Sequence, residues 1–260
     1  ESDFEDFSSR LRICALDLRF LTDVETFCAY ISSEFLPKTS KSKFILINNA
    51  AQTIRRPPMF YRHLLITESK SYQQLNLPSN IFFDIPSSIQ KLNGESSHHR
   101  IGNTSNTSVS LVNSVDFAQI SNSAQASQME VIPSDCHGHS CDDFPIGSFD
   151  ENGQQLDLRQ ENSWTSNANE ILPVELLEVH VINSIAPFCL ITRLKSLMEK
   201  YHIAFIINVT AVEGQFSSYT KLSTHPHTNM AKSSLNMLTR TSAQEFAKSN
   251  IFMNSVDTGW

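Results

Sequence analysis

The sequence is poor in glycine, and its few glycines are scattered. There are 7 glycines in 260 residues, and neither Gly-x-Gly-x-x-Gly nor Gly-x-x-x-Gly-x-Gly occurs. Such turns allow the backbone at the start of a helix to approach a pyrophosphate closely. Their absence excludes the usual glycine-rich phosphate-binding turn from this chain.

Positive charge and long apolar runs are also lacking. Lys and Arg number 20 against 27 Asp and Glu, which gives a net charge of −7. Nucleic acids and anionic membranes are bound by basic faces, so neither is expected as a partner. No run of about 18 apolar residues occurs, so no bilayer-spanning segment and no membrane partner are predicted.

The chain starts without a secretory signal or an initiator Met, since Glu1 to Asp6 contain neither a basic start nor an apolar stretch. We therefore expect a cytoplasmic protein whose chain begins within a longer one. The five cysteines are odd in number and scattered, which fits a reduced compartment. Cys136 and Cys141 enclose two histidines, but four ligands within such a short segment are too crowded for one zinc ion. No metal site is predicted.

Hydrophobic residues make up 40% of the chain, enough to bury a core, and they recur in two periodicities. Short apolar runs predict buried strands at 11–16, 43–47, 203–209 and 251–256. Helical spacing predicts helices from the cap Asp23 to before Pro37, at 174–200 with Pro187 inside, and at 228–248. Strands that alternate with helices predict parallel pairing. The predicted fold is an α/β doubly wound parallel sheet in three layers, which lacks the first strand-helix unit and its glycine-rich loop.

Between about residues 87 and 143 the composition changes. Ser and Asn dominate and no periodicity is sustained. This pattern is typical of a low-complexity, disordered insertion. We therefore predict one domain over residues 1–260, interrupted by this insertion.

Five segments, in order, resemble the short-chain dehydrogenases/reductases. They correspond to the Asn-Asn-Ala-Gly segment, the helix with the active-site Asn, the strand that ends in Ser-Ser, the Tyr-x-x-x-Lys pair and the Pro-Gly after the sixth strand. In this chain they are Leu46–Ala51, Val181–Phe188, Ile206–Gly214, Thr228–Lys232 and Val256–Gly259. Three stretches, at 52–58, 224–232 and 254–260, are similar to an atypical branch in which Thr replaces the catalytic Tyr. The resemblance covers most of the chain outside the insertion and implies a chain that is incomplete at both ends.

The resemblance implies an NAD- or NADP-dependent oxidoreductase that acts on a small carbonyl or alcohol. In the family, Tyr is the acid/base, Lys lowers its pKa and holds the ribose, Ser donates to the substrate oxygen, and Asn anchors a water relay. Lys232 matches the family Lys and Asn183 matches the family Asn, whereas Ala211 stands at the Ser position with Thr210 just before it. Thr228 stands at the Tyr position.

A threonine hydroxyl is a far weaker acid than a phenol, whose pKa is about 10. Thr228 therefore cannot transfer the proton at neutral pH without help. His227 and Tyr219 are the neighbouring groups that could supply it, although adjacent residues on a helix point about 100° apart.

For the cofactor, the resemblance implies adenine contacts from Asp17 with Leu18 packing nearby, and a segment under the adenosine formed by Asn48, Asn49 and Ala50. The residues that separate NAD from NADP belong to a part of the family fold that this chain lacks. The rival hypotheses are a non-catalytic scaffold, which senses nucleotide or dimerises, and an incomplete gene product. The resemblance also implies a homodimer or homotetramer through the helices at 174–200 and 228–248.

Overall fold

The computed structural model describes residues 3–68, 82–83, 127–132, 135, 142–218 and 221–259. The strands are β1 (Ile13–Cys14), β2 (Lys43–Asn48), β3 (Phe82–Phe83), β4 (Ile203–Thr210) and β5 (Ile251–Asp257). The helices are α1 (Phe4–Ser8), α2 (Leu21–Glu34), α3 (Pro58–Glu68), α4 (Pro173–His180), α5 (Ala186–Met198) and α6 (Pro226–Ala247).

The main sheet has the order β2-β4-β5, and all its strands are parallel. Asn48 lies opposite Asn208, which lies opposite Ser255, so the three strands run in a fixed register. Their carboxyl ends therefore meet at one edge. The predicted α/β class and parallel sheet are confirmed.

One face of this sheet carries the core. Phe44, Leu46, Ala204, Ile206 and Met253 point to the same side and pack against α2, α5 and the end of α6. The helix residues that meet them recur at helical spacing: Val24, Cys28, Leu190, Ile191, Leu194, Leu197, Met198 and Phe246. The period of 2 in the strands and of 3.6 in the helices thus places the core as predicted.

The opposite face of the sheet is open to solvent. Ile45 and Ile47 on β2 are 59% and 57% exposed, and Phe252 and Val256 on β5 are each 40% exposed. The described helices that share the core cluster all lie on the first face. The second layer of helices expected from the sequence is therefore not found among the residues that the structure describes.

The first predicted strand, at 11–16, is corrected in length and in partner. Only Ile13–Cys14 is extended, and it pairs in parallel with Phe82–Phe83 rather than with β2. Ile13 is 40% exposed, so the strand is not buried. The apolar run is interrupted by Arg12, and two paired residues are too few to form a core strand.

The helix boundaries agree with the predicted ones to within a few residues, with one wrong cap. Helix α2 starts at Leu21 after Phe20, which puts Asp23 in the first turn and not at the N-cap. A carboxylate there still interacts favourably with the helix dipole. The predicted helix at 174–200 is divided, because a π turn over Val181–Ile185 separates α4 from α5, and Pro187 lies in the first turn of α5.

The α4–α5 segment, Pro173–Met198, is long and apolar enough to cross a membrane by length and composition alone. Its stripe of Leu190, Ile191 and Leu194 packs in the core against the sheet, as in a core helix of a soluble protein. Most of the predicted insertion, including Cys136 and Cys141, lies outside the described residues. Cys14, Cys28 and Cys189 are unpaired thiols.

Candidate active site

A row of polar side chains crosses the sheet near its carboxyl edge. The Asn48 Nδ2 donates to Asn208 Oδ1 at 2.8 Å, and the Asn208 Nδ2 donates to Thr239 Oγ1 at 2.9 Å. Ser255 Oγ donates to the same Thr239 oxygen at 2.8 Å, and Thr239 donates to the carbonyl of Leu235. Each buried amide is thereby satisfied, and the row ties β2, β4 and β5 to α6.

Lys232 and Thr228 face this edge from the first turns of α6. They are one helical turn apart and therefore lie on one face of the helix. Both are buried, at 6% and 4% exposure. The Lys232 Nζ donates to the Val209 carbonyl at 2.8 Å, next to Thr210 at the end of β4. Burial lowers the pKa of Lys232, and the carboxylate of Asp257 acts in the opposite direction.

Gly214 sets how closely the loop after β4 approaches α6. A Cβ at this position would lie 2.8 Å from both the carbonyl carbon and the Cβ of Lys232. Ser233 Oγ donates to the Gly214 carbonyl at 2.9 Å. Only a residue without a side chain fits, so the position of Lys232 depends on this glycine.

Asn183 lies inside the π turn and is 1% exposed. Its Oδ1 accepts the backbone N–H of Gln52 at 2.7 Å, and its Nδ2 donates to the Gln52 carbonyl at 2.9 Å. One side chain therefore satisfies both backbone groups of the residue that follows the Asn48–Ala51 segment. The contact fixes the loop after β2 against α4.

Buried side-chain polar atoms without a hydrogen-bond partner are concentrated in a few elements of the described structure. Of the seven such side-chain atoms among the described residues, six belong to the first turns of α4 and α6 and the end of β4: Glu175 Oε1, Thr210 Oγ1, His227 Nδ1 and Nε2, Thr228 Oγ1 and Asn229 Oδ1. An unpaired buried polar atom costs about 1–3 kcal/mol. A concentration of them is expected where a ligand or bound water completes the hydrogen bonds.

His227 and Glu175 form a buried pair between α6 and α4. His227 is 1% exposed, and its Nε2 lies 3.6 Å from Glu175 Oε1, beyond hydrogen-bond distance. Burial, and to a lesser extent the nearby His225 and His180, lower the pKa of His227 to about 4. The imidazole is therefore neutral at pH 7.

The start of α6 is held by an unusual residue, His225, which has a φ of 45°. Its ring stacks on Trp164 with centroids 4.0 Å apart, and its Nδ1 lies 3.0 Å from the Trp164 carbonyl. Its backbone N–H donates to the Ser166 carbonyl. These contacts stabilise the left-handed backbone that turns the chain into α6. His225, Trp164 and Asn229 line a cavity of about 380 Å³.

Asp17 lies at a second cavity, of about 300 Å³, with Gln52 and Ile182. Both carboxylate oxygens of Asp17 accept hydrogen bonds from the Arg19 guanidinium, which also pairs with Glu178 at 3.3 Å. Asp17 thus reaches the loop that Asn183 holds, although β1 is not hydrogen-bonded to the main sheet in the described part of the chain.

The other residues predicted to contact the cofactor lie in three different environments. Leu18 packs against the core cluster, Asn48 belongs to the polar row, and Asn49 and Ala50 are exposed just beyond β2. The structure thus brings Thr210, Thr228 and Lys232 together and links Asn183 to the loop near Asp17. Tyr219, the alternative proton donor, lies outside the described residues. No group of three or more metal-ligating side chains occurs within the described ranges.

Neither Glu175 nor the burial of His227 was predicted from the sequence. A signal for Glu175 exists, because Glu175, Val179 and Asn183 recur every four residues on the buried stripe of the α4 segment. A carboxylate on such a stripe needs a partner or a function.

No protein-family model matches the chain. A curated relative, an uncharacterized protein of Acanthamoeba polyphaga mimivirus, is 34% identical over 98 residues, and the match spans 21% of that protein's length. Two solved structures each match 37% of this chain over 42% of their own length. One is an NADPH-bound carbonyl reductase from chicken fatty liver, with 24% identity and a TM-score of 0.35. The other is an oxidoreductase of the short-chain dehydrogenase/reductase family from Brucella ovis in complex with partially ordered NAD, with 25% identity and a TM-score of 0.33. The carbonyl reductase Sniffer of D. melanogaster is 21% identical over 37% of this chain and 43% of its own, with a TM-score of 0.35. Each of these three matches covers little more than a third of this chain and less than half of the solved structure.

Proposed function

We propose that this chain is part of a short-chain type oxidoreductase, which transfers a hydride between a nicotinamide dinucleotide and a small carbonyl or alcohol. The observation that carries the proposal is the buried group of Lys232, Thr228 and Thr210 at the carboxyl edge of a parallel sheet. In open α/β sheets, ligands bind outside this edge.

The residues present fit one end of such a cofactor. Lys232 offers a buried cation, and the hydroxyls of Thr210 and Thr228 lack hydrogen-bond partners within the described structure. This combination suits a ribose and the reacting oxygen of a substrate. For the phosphates, the cavity beside Asp17 offers Arg19, Arg55 and Arg56, each of which already pairs with a carboxylate. The phosphate end is therefore the weaker half of the fit.

Within this proposal, the dinucleotide supplies or accepts the hydride. The chain's own residues orient the substrate and handle the proton. Thr228 donates a hydrogen bond to the substrate oxygen, and the Lys232 cation lies one turn away, where it stabilises negative charge that develops on that oxygen. Asn183 keeps the loop after β2 in place, since it holds both backbone groups of Gln52.

Dinucleotide binding tests the proposal directly. NADH and NADPH are titrated into the protein, and the unfolding temperature is followed. A ligand at 100 times its dissociation constant adds about 2.7 kcal/mol to the free energy of unfolding. Lys232→Met keeps the side-chain length and removes the cation, so we expect the stabilisation to be lost. Lys200→Met, at an exposed position, is the matched control. If neither dinucleotide stabilises the protein up to millimolar concentrations, the proposal is wrong.

The non-catalytic scaffold remains the second candidate because Thr228 occupies the position of the family's acid/base. A protein that binds NADH or NADPH but converts no alcohol or carbonyl from a broad panel would have this function. In that case, activity gained by Thr228→Tyr would identify the missing phenol as the cause.

The predicted pairing of subunits has a surface that suits it. Leu177 and Phe188 on the α4–α5 segment and Met230 and Met237 on α6 are between 49% and 64% exposed. We propose that these helices form the contact between two copies. Light scattering should give at least twice the chain mass of 29.3 kDa, and a monomer at high concentration would contradict the proposal.

A further inference from the structure

We propose that the cavity between Trp164 and the loop after β4 binds a small neutral polyol, or the hydroxylated carbonyl compound derived from it, as the substrate. The inference rests on the proposed oxidoreductase function and names its substrate class. The cavity has a volume of about 380 Å³, and three of the polar side chains that line it, Glu213, His225 and Asn229, offer hydrogen-bond acceptors.

The cavity adjoins Lys232 through the two segments that form its walls. Asn229 lies in the first turn of α6, immediately after Thr228. Glu213 belongs to the short turn after β4, and the next residue, Gly214, packs against the backbone of Lys232. A ligand in the cavity is therefore held between the same two segments that position the Lys232 ammonium.

His225 offers an acceptor because of how its ring is held. Its Nδ1 lies 3.0 Å from the Trp164 carbonyl oxygen, which can only accept a hydrogen bond. An unprotonated Nδ1 at that distance would set two lone pairs against each other, so Nδ1 carries the proton. In the neutral ring, Nε2 then keeps its lone pair and is the nitrogen left to accept from a ligand.

Asn229 and Glu213 add two further acceptors. Asn229 Oδ1 has no hydrogen-bond partner in the described part of the chain. Among the same residues, no hydrogen bond or ion pair reaches the Glu213 carboxylate. The Lys221 ammonium donates to the backbone carbonyl of Glu213, which places a positive charge beside that carboxylate. The two charges offset each other, and this favours a neutral ligand over an amine or an acid.

The remaining walls are apolar. They are formed by Val212, Leu222 and the Trp164 ring, which is stacked on His225 with centroids 4.0 Å apart. A polyol matches both kinds of wall, because its hydroxyls donate to the acceptors and its C–H groups contact the apolar side chains. A monoalcohol would leave two of the three acceptors unpaired. Sites that hydrogen-bond substrate hydroxyls reject analogues that lack them.

Tryptophan fluorescence tests binding without requiring turnover. The chain has two tryptophans, so Trp260→Phe leaves Trp164 as the only reporter. Xylitol, ribitol and sorbitol are titrated into this variant, with butanol and cyclohexanol as the apolar comparison. We expect the polyols to change the Trp164 emission in a saturable way and the monoalcohols to leave it unchanged.

Substitutions in the cavity test the acceptors. Glu213→Gln keeps the shape of the side chain and removes its charge, so the dissociation constant for xylitol should rise at least about 10-fold. Asn229→Leu removes a second acceptor and should also weaken xylitol binding. The exposed Glu151→Gln is the matched control and should leave the dissociation constant unchanged. Urea denaturation shows whether each variant is folded.

The outcomes separate this inference from the proposed function. If no polyol binds, or if folded Glu213→Gln and Asn229→Leu both bind xylitol as tightly as the unsubstituted protein, the inference is wrong. The oxidoreductase function is then still judged by the NADH and NADPH titrations. If polyols bind and Glu213→Gln weakens them, but neither dinucleotide stabilises the protein, the proposed function fails and the cavity stands as a polyol site.

Discussion

The polar row across the sheet predicts a large loss of stability from one substitution, Asn208→Ala. Asn208 is fully buried and makes two hydrogen bonds, to Asn48 at 2.8 Å and to Thr239 at 2.9 Å. Each bond contributes about 1 kcal/mol net, and the orphaned Nδ2 of Asn48 adds about 1–3 kcal/mol. Thr239 Oγ1 still accepts from Ser255, so it adds little. We expect the free energy of unfolding to fall by about 3–5 kcal/mol.

Urea denaturation followed by circular dichroism measures this loss. The exposed Asn254→Ala, on the neighbouring strand, is the control and should change stability by less than about 0.5 kcal/mol. The double variant Asn48→Ala/Asn208→Ala should cost less than the sum of the single variants, because no buried amide is left orphaned. Additive costs, or a loss below about 0.5 kcal/mol for Asn208→Ala, would refute the reasoning about the row.

Two further predictions concern the site. Gly214→Ala should destabilise the protein and displace Lys232, because the added Cβ would lie 2.8 Å from the carbonyl carbon of Lys232. Urea denaturation measures the loss of stability, and dinucleotide titration measures the effect on binding. An unchanged free energy of unfolding and an unchanged affinity would contradict the close packing. The second is a pH dependence: the pKa of His227 is about 4 in the folded protein and about 6.5 unfolded, so the unfolded state binds more protons between these values. The contribution of the neutral His227 to the free energy of unfolding is complete above about pH 6.5 and is lost as the pH falls towards 4, by about 3 kcal/mol. The free energy of unfolding of His227→Gln should therefore fall less over this range than that of the wild type. Identical slopes of the two proteins against pH would show that His227 titrates normally.

The fold could be predicted from the sequence to the extent that periodicity determines it. The runs at 43–47, 203–209 and 251–256 became β2, β4 and β5, as continuous apolar stretches of that length predict. Their predicted burial is only half right, because alternate residues of β2 and β5 are exposed. The run at 11–16 misled, since length and hydrophobicity do not tell which strand a segment pairs with. Pairing depends on residues far along the chain, here Phe82–Phe83.

Residues of the candidate site could be predicted only where they belong to a recognisable sequence motif. Lys232, Thr228 and Asn183 were found because their spacing resembles a family pattern, and the structure places the first two together. Glu175 and His225 have no such pattern. Their roles depend on which side chains face them across α4 and α6, and that follows from helix packing rather than from local sequence. Whether Asp17 contacts adenine remains a prediction.

The open side of the sheet affects how the protein behaves in solution. Parallel sheets usually have both sides covered, yet here water meets Ile45, Ile47 and Phe252 directly. Sulfate and phosphate salts strengthen the tendency of apolar surface to leave water. We therefore expect the protein molecules to associate in concentrated sulfate or phosphate and to remain dispersed in dilute chloride, despite the repulsion between their net negative charges.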